Sequence, residues 1–216
     1  MSNRRPKPKP EQPPVVTHRH RNKGQEDAAR LFREFDILFL LGPAGTGKTH
    51  AAVSLALGAE RVIITRPAVE LDGERLGYLP GGPDEKLHPF MLPVLDVLRT
   101  QLGIAEANKR FRVFEVCPLA FIRGRTLDNC VAILDEAQNA TRAQRKTYLT
   151  RLGKGGKMII SGDPSQSDIR GGDAFRAEVA ALVAAGIAGV VEFDQSMQER
   201  SALLEGIENV YAKLRG

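Results

Sequence analysis

An α/β fold with a mainly parallel central sheet is what the sequence predicts, and three features predict it. An apolar run from Asp36 to Leu41 leads straight into a glycine-rich turn and then a helix-forming stretch. A second apolar run, Cys130 to Leu134, ends in Asp135-Glu136. Around these, short runs rich in Val, Ile and Leu alternate with segments whose apolar residues recur every three to four positions, the pattern of successive strand–helix–strand units.

The chain begins with a tail. Residues 1–23 hold five prolines and seven Lys or Arg against one acid, Glu11, a net +6, so the remaining residues of a chain with formal charge +5 sum to −1. With almost no apolar periodicity this segment is expected to be disordered. It fits a nucleic-acid arm or a solubilising leader equally well. Residues 24–216 are expected to form one well-cored domain, the 216-residue length leaving no room for two of this size.

Gln25 to Phe35 places Ala28, Ala29, Leu31, Phe32 and Phe35 on one helical face. The strand to Leu41 follows, and Gly42-Pro43-Ala44-Gly45-Thr46-Gly47-Lys48-Thr49 then fits the P-loop spacing G-x-x-x-x-G-K-T. Its glycines let backbone N–H groups turn inward around phosphate oxygens, while Lys48 reaches the β- and γ-phosphates and Thr49 ligates Mg²⁺. The positive end of the helix that runs on through His50 favours the same anion.

Arg61 to Thr65 is a second buried strand, ended by Pro67 after Arg66. A turn-rich segment from Gly73 to Asp84 follows, a candidate nucleic-acid or partner surface at a strand end. Asp84 opens a helix to about Leu102, with Leu87, Phe90, Met91, Val94, Leu95 and Leu98 as core. Phe111 to Val116 is a third strand. In the Pro118–Thr126 segment behind it, Arg123 and Arg125 fit either a phosphate contact or an exposed polar turn.

The run to Leu134 delivers Asp135 beside Thr49 to hold the Mg²⁺ water shell, and Glu136 is placed to polarise a water for attack on the γ-phosphate. Thr141 opens a helix to Leu152, and Lys157 to Ser161 is a strand leading to Gln166, whose amide is a candidate contact for the γ-phosphate or attacking water. Ala174 to Ala185 is a helix, Gly189 to Phe193 the last strand and Ser201 to Leu214 a closing helix. Cys117 and Cys130 lack metal-knuckle spacing and read as reduced thiols. The longest nearly apolar run, Val179 to Val191, falls short of a membrane span, and no signal peptide fits, so a cytoplasmic protein is expected.

Gln25, the 42–49 loop, T-R-P-A-V-E (65–70), G-Y-L-P-G (77–81), P-L-A-F-I-R-G-R-T-L (118–127), I-L-D-E-A-Q-N (133–139), T-R-L-G (150–153) and S-G-D-P-S-Q (161–166) together resemble the PhoH-like family. The resemblance runs from Gln25 to about Tyr211. It implies a three-layer P-loop NTPase domain of the RecA-like type, similar to the first domain of superfamily 1 helicases, in which the strands carrying the P-loop (Walker A) and the Asp-Glu end (Walker B) are not adjacent. It implies ATP and Mg²⁺ as cofactors, and it carries the name phosphate-starvation-inducible protein. Gln25, 17 residues before Gly42, stands where helicase-like ATPases have a glutamine that reads the adenine edge, a surface residue at a helix start being the alternative. Arg200 matches the family while its flanks do not, and no nuclease activity of the kind carried by the ribonuclease domain of some longer relatives is expected.

The function expected is an ATPase coupled to single-stranded RNA or DNA through the tail and strand-end loops. A P-loop small-molecule or nucleotide kinase and a low-turnover regulator are the alternatives. A GTPase is disfavoured because neither N-K-x-D nor D-x-x-G stands in a suitable position. Since superfamily 1 enzymes close their site with an arginine from a second domain, a homo-oligomeric ring, possibly a hexamer, is expected, with Arg200, Arg123 or Arg125 as donor in trans.

Overall fold

The computed structural model describes residues 22–67, 83–166, 172–194, 196 and 210. Among these residues six strands, β1 (Ile37–Leu41), β2 (Val62–Thr65), β3 (Phe114–Val116), β4 (Val131–Leu134), β5 (Lys157–Gly162) and β6 (Gly189–Glu192), form one sheet in the order β3-β2-β4-β5-β1-β6. Every pairing is parallel. Strand β5 therefore separates β1 from β4, the arrangement the resemblance implies.

Six helices among the described residues cover the sheet: α1 (Lys23–Glu34), α2 (Lys48–Ala56), α3 (Pro83–Leu102), α4 (Ile104–Phe111), α5 (Arg142–Leu149) and α6 (Gly172–Ala184). Side chains of a strand alternate between its two faces, and both faces are apolar here. Leu38 and Leu40 of β1 join Ile64, Ile133 and Ile159 in a core closed by α1–α4. Ile37, Phe39 and Leu41 turn the other way, into a core with Ile63, Leu134, Ile160, Tyr148 of α5 and Phe175 of α6.

Helix starts follow local chemistry. The Asn22 side chain accepts from Gln25 N at 3.0 Å and caps α1. Thr141 and Gln144 form a reciprocal capping box on α5. Helix α5 stops at Leu149, three residues before the expected Leu152, and α3 begins one residue early, at Pro83. Met91, Val94 and Leu98 are buried as expected.

Two expectations need correction. The third strand starts at Phe114, not Phe111, because Phe111 closes α4. Helix α4 itself has no counterpart among the expected elements: it is eight residues long, Ala107 is its one fully buried residue and Ile104 is 69% exposed. The tail to residue 21, the turn segment from Gly73 to Gly82 and the closing helix lie outside the described residues, Val210 excepted.

Beneath the second core, the side chain of Arg145 is 6% exposed and that of Glu178 12%. The guanidinium donates to Glu178 at 2.8 Å and 3.0 Å, to the Ala140 carbonyl, and lies 4.5 Å from the centre of the Phe175 ring. It ties α5, α6 and the turn after β4 together. Arg145→Ala leaves a buried carboxylate without its partner, a change that typically costs about 3–5 kcal/mol. An unfolding free energy lowered by that amount in urea titration, with a correspondingly lower midpoint, is expected; an unchanged midpoint removes this pair from the fold's support.

Candidate nucleotide site

The turn after β1 is a cradle because its backbone goes where side chains cannot. Gly42, Gly45 and Gly47 have φ of 145°, 77° and 89°. A Cβ on Gly42 would lie 2.0 Å from the Phe193 carbonyl oxygen, so β6 and the loop can approach only through a glycine. Thr46, buried, donates to the Pro43 carbonyl at 2.8 Å and closes the loop on itself. Lys48 folds back over it, donating to the carbonyls of Gly42 (2.7 Å) and Pro43 (2.6 Å). The first helical hydrogen bond of α2, Ala51 N to Gly47 O, leaves the first-turn amides at the mouth of the loop.

The parallel register brings the other components to the same edge. Leu134 lies opposite both Thr65 and Ile160, so Arg66, Asp135 and Ser161 emerge side by side from three neighbouring strands. Asp135 is 4% exposed. Its Oδ1 accepts from Ser161 Oγ at 2.6 Å and Thr49 Oγ1 at 3.3 Å, and its Oδ2 from Arg66 Nη2 at 2.5 Å and Nε at 3.1 Å.

Glu136 is exposed beside this cluster, in the left-handed conformation (φ 56°, ψ 42°), which is costly for a residue with a side chain. Gln138 holds it. Its Nε2 donates to Glu136 Oε2 at 2.6 Å while its Oε1 accepts from Asp163 N at 3.0 Å, and the amide is itself buried. The Glu136 carboxylate is thereby fixed to the end of β5.

Of the residues expected from sequence, the P-loop, Thr49, Asp135 and Glu136 converge. Gln25 also arrives: it is 4% exposed, and a Cβ on Gly47 would meet its amide nitrogen at 2.9 Å, so α1 packs its start on the loop. His50 instead places its ring against Gln101 of α3 at 2.9 Å. Gln166 sits exposed on a 3₁₀ turn beyond β5. Arg200 lies outside the described residues. Arg125 pairs with Glu115 at 2.8 Å and donates to Cys117 Sγ at 3.0 Å, while Arg123 is exposed. Hydrogen bonding from Arg125, ahead of that from Arg61, holds the Glu115 carboxyl below its ordinary value. Both cysteines are free and buried, and burial pushes the Cys130 thiol up, away from nucleophilic use.

Three residues escaped the sequence reading. Arg66 and Ser161 stand inside motifs that carry the resemblance, T-R-P-A-V-E and S-G-D-P-S-Q, with no role of their own. Gln138 stood inside a recognised motif with no role. Only the register between strands that are distant in sequence brings them to Asp135 and Glu136.

The donor set suits a nucleotide-bound Mg²⁺. A hydroxyl and a carboxylate meet on the helix and strand that flank the cradle, and a cationic guanidinium already rests on that carboxylate. Among the described residues no group of three or more His, Cys, Asp or Glu could cage a metal alone. One or two protein oxygens with phosphates completing the shell is magnesium's usual arrangement.

An open parallel sheet with a P-loop after one strand and Asp-Glu after a non-adjacent one defines a nucleotide-binding domain of the RecA-like P-loop class. The chain belongs to the PhoH-like protein family, whose model matches residues 17–212. It is 43% identical over 205 residues to a PhoH-like protein of Bacillus subtilis, covering 90% of this chain and 64% of that one. It is 42% identical over 187 residues to a PhoH-like protein of Mycobacterium tuberculosis (82% and 53%) and 38% identical over 209 residues to Protein PhoH of Escherichia coli (89% and 57%). The chain thus spans between about half and two thirds of the length of these relatives. No helix among the described residues is long and apolar enough to cross a membrane.

Gly42→Ala tests the cradle. With φ of 145° and the Phe193 carbonyl in the way, the substitution should cost about 1–3 kcal/mol of stability, the range for a strained backbone site. It should also weaken nucleotide binding, read by thermal melting and fluorescent-nucleotide titration. Wild-type values in both would show that the loop does not depend on this approach.

Proposed function

We propose that the domain binds Mg²⁺·ATP and hydrolyses it, with turnover coupled to single-stranded RNA or DNA. The observation that supports this best is the meeting of Thr49 with Asp135 beside an exposed Glu136 anchored by Gln138. Lys48 exchanges its loop carbonyls for the β- and γ-phosphates. Thr49 and Asp135 hold Mg²⁺, which when bound neutralises charge on the phosphate oxygens. Glu136 takes the proton of the attacking water, and Gln138 keeps that carboxylate from swinging away from the phosphate side. Coupling to single strands is supported by the basic composition of the tail and by Phe121 and Arg123, both exposed in the turn after β3.

Phosphate release with and without single strands, alongside a search for a phosphorylated acceptor, tests the reading. Lys48→Ala should lose nucleotide affinity and hydrolysis together. Glu136→Gln should bind ATP normally and turn over roughly 10²-fold slower or worse, the scale of general-base catalysis. Normal turnover by Glu136→Gln, or label appearing on an acceptor, would refute the hydrolytic mechanism.

Gln25 is the proposed adenine reader, on the strength of its place beneath Gly47. An amide both donates to and accepts from the adenine edge. Gln25→Ala is expected to narrow the preference for ATP over GTP in competition binding. A preference that does not move assigns Gln25 to packing alone.

A further inference from the structure

We propose that Arg66 is the resident counter-ion of Asp135 in the nucleotide-free protein, and that the nucleotide's Mg²⁺ takes its place. This rests on the Mg²⁺·ATP reading above and adds an ion exchange to it. Asp135 has three side-chain partners among the described residues, and they differ in their freedom to leave. Ser161 is fully buried and Thr49 is fixed at the start of α2. The Arg66 side chain is 22% exposed against 5% for that of Asp135, so the guanidinium alone has an open way out. It also makes the stronger contact, giving Oδ2 two charge-assisted hydrogen bonds at 2.5 Å and 3.1 Å.

A buried carboxylate needs a positive partner, and Arg66 supplies one while the nucleotide is absent. A divalent ion with its water shell on the same carboxylate puts like charge against the guanidinium, and only one of the two cations can be the neighbour of Oδ2. Ser161 keeps its bond to Oδ1 throughout, so the carboxylate stays aimed at Thr49 while its partner changes. The arrangement suppresses binding of free metal and favours metal that arrives with a triphosphate, whose negative charge receives the displaced guanidinium. Arg66 is followed directly by Pro67, which is buried, so the exchange acts on the end of β2.

The test uses Mn²⁺ as the metal probe on the nucleotide-free protein, with free Mn²⁺ read by electron paramagnetic resonance and stability by melting. Arg66→Gln should bind Mn²⁺ roughly tenfold more tightly than wild type, since a unit charge beside the site is gone, and should gain melting temperature from Mn²⁺ where wild type gains little. Arg66→Lys keeps a cation without the two-point contact and should fall between, which preserves the test if Arg66→Gln folds poorly. Equal Mn²⁺ affinity in wild type and either folded variant would overturn the exchange. A fluorescent ATP analogue is titrated in parallel. Binding of the analogue with unmoved Mn²⁺ affinity defeats this inference alone, whereas no binding to any of the proteins defeats the nucleotide reading and the exchange with it.

Discussion

The buried carboxylate of Asp135 is the constraint on which the site depends. A charge with 4% exposure must be met by donors from the protein. The donors come from β2 (Arg66), β5 (Ser161) and α2 (Thr49), while Asp135 itself ends β4. Four elements are therefore locked in register at one edge by a single side chain. A slip of one residue in any of the three strands would turn its contributor to the opposite face, so the alternation that builds the two cores also sets the chemistry.

The strand order explains why β5 matters more than its lack of catalytic residues suggests. Lying between β1 and β4, it touches both halves of the site. Gly162 accepts from Gly42 N at 3.2 Å and so holds the root of the cradle. Ser161 orients Asp135, and the Asp163 amide anchors Gln138, which anchors Glu136. If the two motif strands were neighbours, no intervening strand would connect cradle, carboxylate and Glu136 in this way. Arg145 continues the support behind the sheet, binding carbonyls in the turn that carries Glu136.

What the sequence made legible follows from range. The cradle is contiguous and its residues are chosen for backbone reasons, so it can be read without knowing the fold. Asp135-Glu136 is legible because a buried strand ends there. Arg66, 69 positions from its carboxylate, and Gln138, 25 positions from the amide it accepts, depend on pairings between distant strands. Arg145 lies in the helix that Thr141 opens, and nothing local shows that it is buried against Glu178. Helix α4 is hard to read for the opposite reason: it is only eight residues long, its apolar positions Ile104, Ala107 and Phe111 are few, and Phe111 also reads as the start of the strand that follows.

Both cations nearest the cradle are already engaged. Lys48 is bound to two loop carbonyls and Arg66 to the Asp135 carboxylate. On the proposed reading, each holds a place that ligand charge later takes: the lysine leaves carbonyl oxygens for phosphate, and the arginine leaves a carboxylate that passes to metal. These two exchanges meet at Lys48 and Thr49, adjacent residues at the start of α2. A triphosphate without metal leaves Arg66 where it is, and a metal without triphosphate has to evict Arg66 with no new anion to receive it. The favourable path is arrival of both together, a selectivity for the metal–nucleotide complex that comes from the ligand-free protein having satisfied its own charges first.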